Sequence, residues 1–297
     1  MRIDAHQHFW RLAERAGHWP PPELAEIHRD FGPADLEPLL RECDVEATVL
    51  VQSLPSVADT LALLALSDRH PFIAAVVGWV DLKARDAPAR IADMASHPKL
   101  KGLRPMLQDL PDDGWIDDPA LAAAAAAMAR HGLVFDALVQ PRHLPALARF
   151  ARRNPALPIV IDHAAKPPIA SGDLERWHVD IATLARLPQV ACKLSGLLTE
   201  AGDRHRPDDL EPVVSHVLRR FGSRRVIWGS DWPVLRLAGD YAGWLRLSES
   251  LCERTLATEL PSATARADAL SDIFGGNARR LYRLARVRAD LTGTPSC

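Results

Sequence analysis

The stretch Arg2-Ile3-Asp4-Ala5-His6-Gln7-His8 opens the chain with a short β-rich run that ends in two histidines. Seven more runs of this kind follow it, and stretches with helical patterning separate them. Together they predict eight strands, near Arg2–His6, Ala47–Gln52, Ile73–Trp79, Leu100–Arg104, Leu133–Leu138, Pro158–Asp162, Val190–Leu194 and Arg225–Gly229. The strands start roughly 25 to 45 residues apart, which leaves room for a helix and its loops in each interval. This alternation predicts a parallel sheet closed into a (β/α)8 TIM barrel.

The chain length of 297 residues fits one such barrel, because barrels of this kind typically need ~250 residues. We expect residues 1–287 to form a single barrel and residues 288–297 to form a short C-terminal tail. Asp118-Pro119 and Gly132 are expected to begin and end one helix. Gly275-Gly276-Asn277 is expected to form the turn before the last helix.

The composition excludes several classes of protein. Hydrophobic residues make up 47% of the chain, which provides for a large core and excludes a disordered chain. With 36 Lys and Arg against 38 Asp and Glu, we expect no nucleic-acid partner and no attraction to anionic membranes. The chain has no run of 18 apolar residues, no apolar segment after Met1, and four cysteines without a CxxC pair. These features predict a cytoplasmic protein with a small-molecule partner.

Side chains that can bind a metal follow three of the predicted strands. His6 and His8 end strand 1, and because side chains alternate along a strand we expect both to point towards the barrel axis. His163 follows strand 6, and Asp231 follows strand 8. Active sites of such barrels lie at the carboxyl ends of the strands, so we expect these four residues to converge there. Two or three histidines with one carboxylate are typical of zinc with an open position for water.

Each of these residues also has an ordinary structural explanation. In a chain with 12 histidines an HxH pair can arise by chance, and His163 alone fits a packed core position. Asp231 precedes Trp232 and Pro233, where an aspartate often begins a turn or caps a helix. The coincidence of all four residues at strand ends is what favours a functional site.

Three motifs resemble the amidohydrolase superfamily, namely Asp4-Ala5-His6-Gln7-His8-Phe9-Trp10, Asp162-His163-Ala164-Ala165-Lys166-Pro167 and Gly229-Ser230-Asp231-Trp232-Pro233. The DHxxKP segment resembles its lactonase branch, which includes L-fucono-1,4-lactonase, L-rhamnono-lactonase and 2-pyrone-4,6-dicarboxylate lactonase. The resemblance covers nearly the whole chain, as far as Phe274-Gly275-Gly276-Asn277-Ala278. It implies a distorted barrel of the metal-dependent hydrolase type.

The resemblance also implies a role for each matching residue. Asp231 would be the general base for the attacking water, and His163 would bind the substrate or polarise its carbonyl group. His6, His8 and Asp231 would hold one divalent metal, with Zn²⁺ favoured, whereas metal-independent relatives use the histidines on the substrate itself. Lys101 lies too early on strand 4 to be the bridging lysine of two-metal relatives, so we expect no second metal.

Six residues at strand ends and in the motifs are expected to contact the substrate: Arg104, Trp10, Gln52, Trp79, Lys166 and Trp232. Indole rings can stack on the apolar faces of a sugar ring, and the Gln52 amide can form hydrogen bonds with its hydroxyl groups. Without a metal, Arg104 and a protonated His163 would stabilise the oxyanion. Arg104 also suits the carboxylate of the opened product, and a salt bridge at the rim is its structural alternative.

We therefore expect an enzyme that opens a small sugar lactone, such as L-fucono-1,4-lactone or a related aldonolactone, to its hydroxy acid. Two alternatives stay open: a metal-dependent non-oxidative decarboxylase of the same superfamily, and a barrel that binds a sugar acid without catalysis. The sequence decides neither the ring stereochemistry nor whether the barrel forms a homo-oligomer.

Overall fold

The computed structural model describes residues 1–15 and 17–285, and it is built on eight parallel strands. The strands are β1 (Arg2–Gln7), β2 (Val45–Val51), β3 (Ile73–Gly78), β4 (Leu100–Leu103), β5 (Val134–Ala137), β6 (Ile159–Ile161), β7 (Val190–Leu194) and β8 (Val226–Trp228). They lie side by side in chain order, each hydrogen-bonded to the next. The (β/α)8 barrel predicted from the sequence is therefore confirmed.

Helices alternate with the strands. They are α1 (Pro33–Glu42), α2 (Val57–Arg69), α3 (Ala87–Met94), α4 (Ala122–His131), α5 (Leu144–Arg153), α6 (Glu175–Ala185), α7 (Pro207–Phe221), α8 (Tyr241–Glu259), α9 (Ala263–Ser271) and α10 (Asn277–Leu281). The predicted end of α4 is confirmed, whereas Asp118 begins a 3-10 turn, Pro119–Leu121, that runs directly into the helix. The Asp118 carboxylate accepts the Ala120 N–H at 2.9 Å, and Gly132 ends the helix with φ of +67°, a left-handed position that favours glycine.

Two layers of apolar side chains fill the molecule. Alternate strand residues such as Ile3, Val49 and Val77 pack on one another in the centre of the barrel, together with Tyr282 from the C-terminal segment. Residues of the opposite strand face, such as Leu50, pack with the helices in a larger outer layer. The barrel is thus a packed core, and its open polar surface lies at the strand ends.

The first strand departs from regular alternation where the histidines begin. Ile3 and Ala5 both belong to the barrel centre, yet the next side chain to enter the barrel is His6. The pairing of β1 with β2 shifts register after Asp4, as in a β-bulge. His6 and His8 point the same way, as predicted, but it is this irregularity that turns them inwards.

The barrel closes beside these histidines. The His8 N–H donates to the Trp232 carbonyl at 2.8 Å, and the Asp231 N–H donates to the His6 carbonyl at 2.8 Å. Both bonds join the end of β1 to the segment that follows β8. Closure therefore brings the first and last motifs of the chain into contact.

Gly275-Gly276-Asn277 leads into the last helix, as expected, since α10 begins at Asn277, but the segment before that helix is not a turn. A π-helical segment, Asp272–Gly276, joins α9 to α10 instead. A Cβ atom on Gly275 would lie 2.3 Å from the Met1 carbonyl oxygen, so the missing side chain lets this segment lie against the start of β1. Contact with the N-terminus, rather than a local turn, explains the glycine.

None of the helices in the described ranges is long and apolar enough to cross a membrane. Cys43, Cys192 and Cys252 are buried and unpaired there. The predicted tail, residues 288–297, lies outside the described residues together with Cys297, and the boundary at residue 287 stays a prediction.

Candidate active site

The four predicted site residues meet at the carboxyl ends of the strands. His6 Nε2 lies 3.1 Å from His8 Nε2, and Asp231 Oδ1 lies 3.6 Å from the first nitrogen and 3.3 Å from the second. His163 Nε2 lies 3.9 Å from the same oxygen. All four side chains are buried. The donor atoms of three imidazoles and one carboxylate thus face a common point.

These spacings fit a metal ion. Bonds of about 2.0–2.1 Å to tetrahedral zinc place neighbouring ligand atoms about 3.4 Å apart, close to the separations among His6, His8 and Asp231. The donor atoms of His6, His163 and Asp231 also lie within 4.8 Å of one another. His8 Nδ1 donates to the Val51 carbonyl at 2.6 Å, which leaves its Nε2 lone pair facing the cluster. The donor set suits a single divalent ion such as zinc.

Left-handed backbone holds two of these residues. Asp231 has φ of +60°, and the four consecutive residues His163–Lys166 have φ between +49° and +63°. This conformation costs a residue other than glycine roughly 1–2 kcal/mol, which the surrounding contacts must offset. One such contact is the indole N–H of Trp177, which donates to the Ala164 carbonyl at 2.7 Å. Strain of this kind is concentrated at functional sites.

A buried ion network lies beneath His6. Lys193 Nζ is 2.6 Å from Asp136 and 3.0 Å from Asp162, and the Tyr282 hydroxyl donates to Asp136 at 2.7 Å. His6 Nδ1 lies 3.3 Å from Lys193 Nζ and 3.5 Å from Asp162 Oδ1. The ammonium is a donor and the carboxylate an acceptor, so either tautomer of His6 finds a partner. The network therefore orients the ring.

Sequence reasoning missed Lys193. The available signal was a lysine inside the apolar run of β7, because a buried charge needs partners. Its partners come from β5 and from the residue after β6, and only the fold brings these strands together. The sequence could therefore have flagged the lysine but not its position under His6.

Arg104 reaches the cluster from the end of β4. Its Nη1 atom lies 3.3 Å from His6 Nε2 and 3.5 Å from Asp162 Oδ2. The guanidinium also donates to the Gln52 carbonyl, and the Gln52 amide donates to the Arg104 carbonyl at 2.7 Å. Gln52 is fully buried and supports Arg104, whereas we expected it to read substrate hydroxyls.

Burial and mutual charge set the protonation states in the cluster. Burial would raise the pKa of the Asp231 carboxyl, but His163, His8 and His6 outweigh it and hold that pKa well below its usual range. Burial lowers the pKa of His163 to about 4 and the pKa of His6 well below its ordinary value. Near pH 7 the site therefore holds an ionised carboxylate and neutral imidazoles, the states that bind a metal. The protonated His163 expected for a metal-free site does not fit this pKa.

An open cavity of about 370 Å³ lies over the cluster. Five of the predicted residues line it: His8, Arg104, His163, Lys166 and Asp231. Glu200, which the sequence did not suggest, lines it too, and its Oε1 atom lies 3.0 Å from Lys166 Nζ. The cavity thus has a catalytic floor and a charged wall, and its volume suits a small molecule.

The indoles predicted to stack on a sugar lie elsewhere. Trp10 and Trp232 are buried, and both pack on Phe31 with ring centroids 5.5 Å and 5.2 Å away. Trp79 lines a neighbouring cavity of about 320 Å³. Trp19 lines both cavities and is 37% exposed. It belongs to the long loop after β1, whose path over the barrel the sequence does not reveal.

Comparisons with known proteins agree with this architecture. The family model described as Amidohydrolase matches residues 3–284. An L-fucono-1,5-lactonase of Burkholderia ambifaria is 59% identical over 293 residues, which cover 98% of each chain. An L-fucono-1,5-lactonase of Burkholderia multivorans is 38% identical over 295 residues, 96% of each chain. A crystal structure of an amidohydrolase from Burkholderia multivorans with bound zinc has a TM-score of 0.85 at 38% identity, and the match covers 96% of this chain and all of that one.

Proposed function

This chain belongs to the amidohydrolase family, and we propose that it is a lactonase that hydrolyses a sugar lactone to its hydroxy acid. The observation that carries the proposal is the ionised Asp231 carboxylate, buried among three imidazoles on the floor of an open cavity. We infer that the substrate is L-fucono-1,5-lactone, because that is the activity for which the two similar relatives are named. The sequence had suggested the 1,4-lactone, so ring size is part of the test below.

The site suits a zinc ion held by His6, His8 and Asp231, with His163 beside it. Charge supports this proposal. Three carboxylates, Asp136, Asp162 and Asp231, are buried in or beneath the site together with two cations, Arg104 and Lys193. The surplus of negative charge favours a bound cation. When bound, such an ion lowers the pKa of water and polarises a carbonyl group.

The side chains of this chain account for the proton transfers. Asp231 takes a proton from the attacking water as the water oxygen adds to the lactone carbonyl carbon. Negative charge then develops on the carbonyl oxygen, and the Arg104 guanidinium stabilises it. His163 Nε2 lies 3.9 Å from Asp231 Oδ1, beyond hydrogen-bond distance, so a proton on that nitrogen is free to donate to the substrate. When the ring C–O bond breaks, Asp231 returns its proton to the ring oxygen, and the hydroxy acid is complete.

Acid release tests the proposal. Purified protein is added to weakly buffered L-fucono-1,5-lactone, L-fucono-1,4-lactone and a panel of five- and six-carbon lactones, and spontaneous opening is subtracted. We expect the 1,5-lactone to open fastest, with activity lost on chelation and restored by Zn²⁺. No acid from any lactone would overturn the proposal. Release of CO2 from an aromatic acid would then favour the decarboxylase, and binding without turnover the sugar-acid binder.

A further inference from the structure

An ion pair forms one wall of the cavity over the cluster. Lys166 Nζ and Glu200 Oε1 lie 3.0 Å apart, and both side chains are about a quarter exposed. The mechanism above uses neither residue. A partly exposed ion pair contributes little to stability, so its presence beside the reacting groups calls for another explanation.

The backbone places this pair relative to the reacting groups. Lys166 is the last residue of the left-handed turn that also carries His163, and its N–H donates to the His163 carbonyl at 2.8 Å. Glu200 follows β7 on the loop in which Gly196 lies against His163. The Ala170 N–H donates to the Glu200 carbonyl at 3.1 Å and joins the two loops. The ammonium and the carboxylate are therefore held at a set position beside the imidazole.

The chemistry of the pair matches neighbouring hydroxyl groups on a ring. A hydroxyl both donates and accepts, so a carboxylate can accept from one hydroxyl while an ammonium donates to the next. Hydrogen bonds to charged groups are stronger than neutral ones. An ion pair in this position discriminates strongly between lactones with and without these hydroxyl groups, because a substrate that lacks a hydroxyl leaves a charged group unpaired.

We propose that Lys166 and Glu200 together bind two adjacent hydroxyl groups of the sugar lactone and so determine which stereoisomer is opened. This inference rests on the proposed lactonase function. The pair binds the side of the ring away from the scissile ester, while Asp231 and Arg104 act on the carbonyl group. Lys166 and Glu200 thereby select the stereoisomer, although neither residue transfers a proton in the reaction.

The test compares two lactones of the same ring size, L-fucono-1,5-lactone and δ-valerolactone, which has no hydroxyl groups. The measured quantity is the ratio of kcat/KM for the first to kcat/KM for the second. We expect Glu200→Gln and Lys166→Met each to lower this ratio about 10- to 100-fold. The double variant should fall little further, because the two side chains act as a unit.

Lys83→Met is the matched control. Lys83 forms an ion pair of similar exposure with Asp118, 2.7 Å apart, and it does not line the cavity over the cluster. Its removal should leave the substrate ratio unchanged. Equal loss on both lactones in the Glu200 and Lys166 variants would mean a structural role and would overturn the inference. So would an unchanged ratio in both variants.

Failure of the proposed function gives a different result. If the wild-type protein opens neither lactone, binding of the open hydroxy acid, L-fuconate, is measured by calorimetry. Glu200→Gln should then weaken binding about tenfold or more. Equal affinity of the variant and the wild-type protein would overturn the inference.

Discussion

Asp231 combines an unusual backbone conformation with an unusual charge. Its φ of +60° is left-handed, and its carboxylate stays ionised although it is buried. Asparagine tolerates the same conformation, so Asp231→Asn should fold while losing the negative charge. We expect kcat to fall about 10²- to 10⁴-fold, because a general base of this kind contributes that much.

Asp44→Asn is the control for this substitution. Asp44 has φ of +51° and is exposed in the loop after α1, so the chemical change and the backbone conformation match. The kcat of the Asp44→Asn variant should equal that of the wild-type protein. Zinc content is measured in both variants, because Asp231 is also a proposed metal ligand. Full activity in Asp231→Asn would contradict the assignment of the base.

At the level of residues, the sequence predicted the reacting cluster better than its surroundings. His6 lies at the end of β1, and His163 and Asp231 each follow a strand. Strand ends of a parallel barrel meet at one face, so the order of residues along the chain was enough to predict the cluster. The role of Lys193 depends on which distant segments approach it. No local pattern carries that information, which explains why the sequence missed this residue.

The loop after β7 supports the cluster through Gly196. Its φ is +62°, and a Cβ atom there would lie 2.6 Å from His163 Nδ1 and 3.2 Å from Asp231 Oδ2. Gly196→Ala should therefore displace the imidazole or the carboxylate and lower kcat/KM at least about tenfold, because small displacements of reacting groups are costly. The measurements are activity per folded molecule and urea unfolding.

Gly222→Ala separates this effect from backbone strain. Gly222 has φ of +69°, and a Cβ atom there would meet nothing within 4 Å. We expect a loss of stability of about 1–3 kcal/mol with normal activity per folded molecule. If both variants kept normal activity, the contact between Gly196 and the cluster would have no catalytic importance.

At the level of elements, local patterns predicted the strands and α4 because hydrophobic runs and capping residues are local signals. The π-helical segment Asp272–Gly276 was missed because Gly275 is explained by its contact with Met1 at the other end of the chain. The bulge in β1 was missed for a similar reason. Its cause is pairing with β2, which the sequence of β1 alone does not contain.

A buried acid adds side-chain hydrogen bonds where the barrel closes. The Asp4 carboxylate accepts the Ser230 N–H at 2.8 Å, the Ser230 hydroxyl at 2.6 Å and the Tyr241 hydroxyl at 3.0 Å. It thus joins β1 to the segment after β8 and to α8. Burial raises the pKa of Asp4 to about 6, so the folded molecule retains a group that titrates near neutral pH.

Stability of the zinc-free protein should fall as the pH falls from 7.5 to 6. Six buried or half-buried imidazoles have pKa values lowered below the ordinary 6.5: His6, His8, His143, His163, His178 and His216. As the pH falls through 6.5, the imidazoles of the unfolded chain therefore bind protons, whereas the same imidazoles in the folded molecule stay neutral. Each proton of difference lowers the free energy of unfolding by about 1.4 kcal/mol per pH unit.

Below pH 6 three carboxyl groups oppose this loss, because burial raises the pKa values of Asp4, Asp59 and Asp136 to about 6. Their folded forms gain protons before the unfolded chain does, so the decline should become shallower between pH 6 and 4. The midpoint of urea unfolding in chelator, measured across this range, checks both slopes. His216→Gln, outside the site, should flatten the upper slope, since the pKa of His216 is lowered to about 4. A midpoint that rises as the pH falls from 7.5 to 6 would show that the buried imidazoles are charged in the folded molecule.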